Sequence, residues 1–183
     1  TSRVVLQTLG VEDYGIYGVV GGIVAMMGFI NASMSGATSR FLTFELGRGD
    51  FSRLSKTFSS ALLVHIIIAV IVLVLAETVG LWFLCNKLVI PEGRMTAAHW
   101  VYQLSILSAM LTITQVPYNS SIIAHEKMDI YAYVEILNVS LKLLIVYLLQ
   151  IGDFDKLILY AILMFAVSLI IIMVYRIYCL QKF

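Results

Sequence analysis

The sequence predicts an all-α, polytopic membrane bundle, and three observations lead there. Of 183 residues, 61% are hydrophobic and only 13% charged, with a mean hydropathy of +0.96, far from the makeup of a soluble domain. Long apolar runs recur between short polar turns. One of them, Leu157 to Tyr175, carries no charge over 19 residues. About 20 helical residues cross the roughly 30 Å of bilayer hydrocarbon.

Residues 1–9 read as the end of a first helix, closed by Gly10 and the polar turn "GVEDYG". Thr1 already stands in membrane-like sequence, so the chain is expected to be a fragment. A second helix covers 14–46. In it Gly18 and Gly22 form GxxxG, continued by Gly28, Ala32 and Gly36; such a ridge lets a neighbouring backbone approach closely and places this helix centrally. A third helix covers 54–84 and a fourth 95–124. Pro117 lacks an amide hydrogen and is expected to kink or loosen the fourth helix near Gln115 and Asn119. The result is either a broken helix lining a cavity or a frayed interfacial end. A fifth helix covers 130–149 and a sixth 157–178. The expectation is one membrane domain, 1–183, with about five complete spans plus the end of another.

Basic residues orient the spans, because cytoplasmic loops retain Lys and Arg. Arg40, Arg48, Arg53, Lys56, Lys127, Arg176 and Lys182 fall on one face. The other face has Lys87, Arg94 and Lys156 beside Glu12, Asp13, Glu92, Asp153 and Asp155. The first face is therefore expected in the cytoplasm. Trp82, Trp100 and Tyr102 at outer ends, with Tyr131, Tyr133, Tyr175 and Tyr178 at inner ends, fit aromatic belts. Cys85 and Cys179 fall at opposite faces, out of disulfide reach.

Polar groups inside the spans are the candidate site. Glu135, Asn138 and Lys142 stand at i, i+3 and i+7, on one face of the fifth helix. A lysine near mid-membrane costs about 3 kcal/mol on insertion scales, so it marks a partner or a wet path. Glu135 either lines that path or neutralises Lys142. Asn31, Ser35, Thr38 and Ser39 form a second stripe, read either as a cavity wall or as interhelical hydrogen bonding. Arg3 and Arg40, with Lys142, form a candidate cationic vestibule for an anion. Snorkelling to the interface is the other reading of both arginines. Gln115 and Asn119 complete the candidate cavity; Glu77 and His65 read as packed or interfacial.

Several motifs mislead. "RGD" at Arg48 to Asp50 falls in the cytoplasmic turn, and the N-x-S matches at Asn31, Asn119 and Asn138 fall in or near helices. "HEKMD" lacks a second histidine for zinc. No nucleotide loop or nucleophile–base pair is present, so no catalytic residue, metal or cofactor is expected, and a net charge of +1 gives no field for nucleic acid.

The stretches "VEDYGIYGVVGGIV", "SGATSRFLTFELGRGD" and "PYNSSIIAHEKM" resemble the bacterial polysaccharide transporter family, the Wzx-type O-antigen and oligosaccharide flippases. That family lies within the superfamily that also holds lipid II flippases and multidrug extruders. The resemblance implies an inner-membrane protein of twelve to fourteen helices in two lobes, this chain being most of the amino-terminal one. It implies a substrate, an undecaprenyl-diphosphate-linked oligosaccharide, moved from the cytoplasmic to the periplasmic leaflet by alternating access. It implies no cofactor beyond a coupling ion, H+ or Na+, and polysaccharide polymerase machinery as a partner. Arg3 and Arg40 match cavity arginines of related lipid flippases; Lys142 rests on the physical reading alone. The alternatives are a drug or cation exporter of the same superfamily, a membrane enzyme acting on lipid-linked glycans, and a scaffold subunit.

Overall fold

The computed structural model describes residues 2–25, 28–87, 90, 93–149 and 155–182. Among them the chain is helical throughout: α1 (Ser2–Ala25), α2 (Gly28–Arg48), α3 (Phe51–Leu75), a π-helical turn (Ala76–Gly80), α4 (Leu81–Asn86), α5 (Met95–Ala124), α6 (Met128–Leu148) and α7 (Lys156–Lys182). The expected helix 14–46 is divided between α1 and α2, on either side of residues 26–27, which lie outside the described ones. Gly10 interrupts α1 with φ 84° and ψ 168°, a conformation glycine adopts without steric cost.

Local chemistry explains the turns. Gly49, at φ 72°, closes α2, and Asp50 caps α3 by accepting the Arg53 backbone N–H at 3.1 Å. The adhesion-like tripeptide is thus a stop signal followed by a start signal. At the end of α5 the Lys127 N–H bonds the Ile122 carbonyl and the Glu126 N–H bonds that of Ile123. That pair of bonds is a Schellman turn, with Glu126 at φ 57° where glycine is usual.

The centre of the bundle is α5. It packs on α7, α2, α3 and α1, and more lightly on α6, while α6 leans mainly on α7. Tyr102, Val101, Ile106, Ile113 and Ile122 of α5 are buried, as are Leu157, Ala161 and Tyr175 of α7, Val20 of α1 and Ile145 of α6. The expectation that the glycine-bearing helix is central holds in part, since α2 packs on α5, but its GxxxG pair is not the contact. Gly18 and Gly22 are exposed, and nothing lies within 4 Å of a Cβ added to either. Nor does Pro117 break its helix: α5 continues to Ala124, with Pro117 buried.

Among the described residues three helical segments are long and apolar enough to cross a membrane: Phe51–Asn86, Met128–Leu148 and Lys156–Lys182. Only 17%, 17% and 28% of their most apolar stretches are buried, so their hydrophobic side chains face outward. Leu63, Ile67, Val70, Ile71 and Val74 of α3, and Ile136, Val139 and Leu144 of α6, form this exposed surface. A surface of that kind is solvated by lipid, and the chain is a membrane protein. The expected count was about five spans. α5 is long enough at 30 residues but does not qualify by apolarity, because its serines, threonines, glutamines and asparagine lower its mean hydropathy.

The aromatic belt is corrected in two places. Trp82, Trp100 and Tyr133 are exposed, but Tyr102 is fully enclosed and Tyr175 is 1% exposed. Tyr102 Oη donates to the Ala76 carbonyl at 2.8 Å, inside the π-turn. A Cβ at Gly80 would collide with that same hydroxyl. The adjacent Gln103 Nε2 donates to Glu77 Oε2 at 3.2 Å, so two successive side chains of α5 hold the turn. His65 is buried as expected, its Nδ1 donating to the Ala61 carbonyl at 2.7 Å.

Gly80→Ala is expected to destabilise the bundle by about 1–3 kcal/mol through overpacking. In a Tyr102→Phe background the added methyl meets no hydroxyl, so its cost shrinks; a double-mutant cycle of unfolding in detergent measures that coupling.

Candidate functional site

One end of the bundle is fastened by a shared arginine. Arg94 Nη2 donates to Asp13 Oδ2 and Nη1 to Asp155 Oδ2, both at 2.8 Å. Asp155 also accepts the Leu157 N–H at 3.1 Å, holding the first turn of α7. The clasp thus ties α1, just past its glycine break, to the starts of α5 and α7. Asp13 is the enclosed member, 7% exposed against 37% for Arg94, and its Oδ1 has no partner. Burial pushes its carboxyl above the usual carboxylate range; Arg94 pulls it down, and Asp155 and Glu12 push it up.

From this clasp a polar stripe descends α5. Ser105, Ser108, Thr112, Gln115 and Asn119 recur at alternating steps of three and four, which keeps them on one helix face. At about 1.5 Å per residue they span roughly 21 Å. Two cavities lie along them. The first, about 270 Å³, is lined by Tyr17, Gly21, Ser105, Ser108, Thr112 and Ser168 among others. The second, about 440 Å³, shares Thr112, Met164 and Ser168 with it, so the two are contiguous.

The second cavity gathers most of the candidate residues. Asn31 and Ser35 come from α2, Gln115 and Asn119 from α5, Glu135, Asn138 and Lys142 from α6, and Val167, Ser168 and Ile171 from α7. The seven candidates among them, spread over more than a hundred positions in sequence, line one space. Gln115 Nε2 donates to Asn119 Oδ1 at 3.3 Å, and Asn138 Nδ2 to Glu135 Oε2 at 3.4 Å. The Asn31 side-chain oxygen is buried without a partner, an acceptor left open on the wall. Lys142 is half-buried and forms no ion pair among the described residues; Glu135 is exposed.

Two candidate cations stand elsewhere. Arg40 is exposed and lines neither cavity. At 100° per residue it lies about 180° around α2 from Asn31, so it cannot close the stripe that Asn31 begins. The side chain of Arg3 lies outside the described residues. Thr38 is buried on the Asn31 side of α2, and Ser120 Oγ donates to the Ser35 carbonyl at 3.3 Å. That bond is interhelical, the other reading of the α2 stripe; cavity lining and interhelical bonding coexist at Ser35.

Ser105, Ser108, Thr112 and Ser168 were not singled out in the sequence. Their signal is there in α5, as a three–four alternation of polar residues through an apolar helix. Thr112 donates to the Ser108 carbonyl at 2.9 Å and Ser168 to the Met164 carbonyl at 3.1 Å, so both hydroxyls sit in the bundle without an unmet donor. No group of three or more metal-ligating side chains occurs among the described residues. No family model, curated protein or solved structure matches the chain.

For Asp13 the raised pKa has a definite sign. Folding holds the proton on this carboxyl to a higher pH than the unfolded chain does, so its contribution is fully present below the unfolded value and is lost as pH rises through the folded value. Arg94→Gln removes the one lowering influence. The variant is expected to lose about 1–3 kcal/mol at pH 7, between the exposed and buried limits for ion pairs. The deficit shrinks as pH falls below the Asp13 value, and Asp13→Asn restores part of it; thermal unfolding across pH is the measurement.

Proposed function

We propose that the chain is the amino-terminal lobe of a flippase that moves an undecaprenyl-diphosphate-linked oligosaccharide across the bacterial inner membrane by alternating access. The observation that carries this reading is the cavity itself. A cation without an ionic partner among the described residues stands among four amides, walled by four helices of which α6 and α7 turn apolar surfaces outward. A half-buried ammonium of this kind is matched by a phosphate oxygen, and clustered amides and hydroxyls are matched by sugar hydroxyls.

In this reading Lys142 meets the diphosphate. Asn31, Gln115, Asn119 and Asn138 hydrogen-bond the glycan, and the Ser105–Ser108 extension takes sugars further along α5. The prenyl tail remains in lipid, leaving between α2 and α6, which flank the cavity without closing over it. The basic end, with Arg40, Arg48, Arg53, Lys127 and Arg176, faces the cytoplasm. Arg40 would meet the head group there on entry rather than within the cavity. The Arg94 clasp lies at the periplasmic end, where opening requires its ion pairs to part. The exposed face with Gly18 and Gly22 would pack against a second lobe, supplying two further spans with α1–α2 and α5 shielded from lipid. Glu135 is the coupling candidate if protons drive the cycle.

One observation favours a second reading. Glu135 is an exposed carboxylate on the same wall, and a cation exporter of the same superfamily would use it for cargo. The two readings separate in a leaflet-resolved assay of labelled lipid-linked oligosaccharide in proteoliposomes. Lys142→Gln is expected to slow translocation by roughly 10-fold or more, the worth of one charged hydrogen bond, with Lys142→Arg partly active. If Lys142→Gln is silent while Glu135→Gln abolishes export of an organic cation, the exporter reading replaces the flippase.

A further inference from the structure

A separate cavity of about 450 Å³ opens at the basic end of the bundle. Both α3 and α7 pack on α5. The cleft between them has Tyr118 of α5 at its base, with Leu54 and Phe58 of α3 and Cys179 of α7 as walls. Phe58 meets the Tyr118 ring edge to face at 5.3 Å, and Cys179 Sγ lies 3.8 Å from the Tyr118 carbonyl oxygen. The base is therefore firmly built. The rim is different: Phe51 is 73% exposed and Leu180 82%, among the most exposed large apolar side chains of the chain. Apolar rims of this kind are covered by something apolar.

A cation stands on the tyrosine at the base of the cleft, though outside its lining. The Arg176 guanidinium lies over the Tyr118 ring at 5.5 Å from its centroid. Arg53, at the start of α3, is engaged by Asp50 at 3.2 Å, whereas Arg176 has no carboxylate partner among the described residues. Ser55, Ser121 and the imidazole of His125 add polar groups to the lining. A slot with largely apolar walls, an exposed apolar rim and a cation stacked on its basal tyrosine matches an amphiphile with an apolar chain and an anionic head. This end also carries seven of the chain's twelve basic residues, an array that attracts anionic lipid.

We propose that the cleft between α3 and α7 is a binding site for an anionic phospholipid of the leaflet at the basic end. An acyl chain lies along Phe58 and Tyr118, and the phosphate meets Arg176. The occupant is a lipid of the surrounding membrane rather than transported cargo, because this cleft shares no lining residue with the polar cavity. The inference does not depend on the transport reading.

The test uses the full-length protein in nanodiscs of phosphatidylcholine with phosphatidylglycerol, and native mass spectrometry of the lipids retained on release. Phosphatidylglycerol is expected to be retained over phosphatidylcholine, and Arg176→Gln to lower that preference about fivefold, the worth of one basic side chain at the surface. Ser55→Trp fills the cleft without changing charge, and is expected to remove the retained lipid while circular dichroism stays unchanged. Equal retention of the two lipids by the unmodified protein overturns the proposal. So does a preference untouched by both variants, or displacement by a polyprenyl phosphate that phosphatidylglycerol does not reverse.

Discussion

Everything in this bundle depends on a polar helix being enclosed by apolar ones. α5 carries two serines, a threonine, a glutamine and an asparagine along one face, which lipid would solvate poorly. Its neighbours are the reverse: α3, α6 and α7 are apolar where they face outward. Burying α5 at the centre satisfies both conditions, since its polar face opens onto cavities and its remaining faces pack against α7, α2, α3 and α1. Tyr102, two turns into α5, reaches into the π-turn after α3, and Arg94, at the start of α5, joins α1 to α7. Both anchors emanate from the same helix.

That enclosure is what gives Lys142 a meaning. On a lone apolar helix its charge would be an expense without return. Beside Gln115 and Asn119 of α5 it stands in a polar space with room for a ligand. The two ends of the bundle are then chemically distinct, one clasped by an arginine between two aspartates, the other basic and bordered by an apolar cleft. A transporter that opens alternately to two sides needs such asymmetry, and the proposed flippase reading uses it.

The helices were legible because apolar run length is written directly into sequence: 95–124 coincides with α5, and α6 and α7 start within two residues of expectation. The shared face of Glu135, Asn138 and Lys142 was legible because three-residue and four-residue spacing is local. What the sequence hid was relative placement. The GxxxG ridge says that close packing is possible at Gly18 and Gly22, but not that a helix of this chain supplies it, and none does among the described residues. Arg40 follows Asn31 and Ser35 in sequence yet points away from them, because helical rotation outweighs proximity. Tyr102 and Tyr175 looked interfacial by position along their helices, and the packing of α5 and α7 buried both. The Arg94 clasp joins residues up to 81 positions apart, a distance no local pattern encodes.

The most direct test of the enclosed polar helix is its wetting. Single cysteines at Gln115, Asn119 and Lys142, in protein with exposed Cys85 replaced by serine, are treated in membranes with a charged, water-soluble thiol reagent. Cysteines at Ile136 and Leu144, on the outer face of α6, serve as the comparison. The account predicts modification at the first three sites and protection at the outer two. Protection of Gln115, Asn119 and Lys142 together would mean a dry interior, and would contradict it.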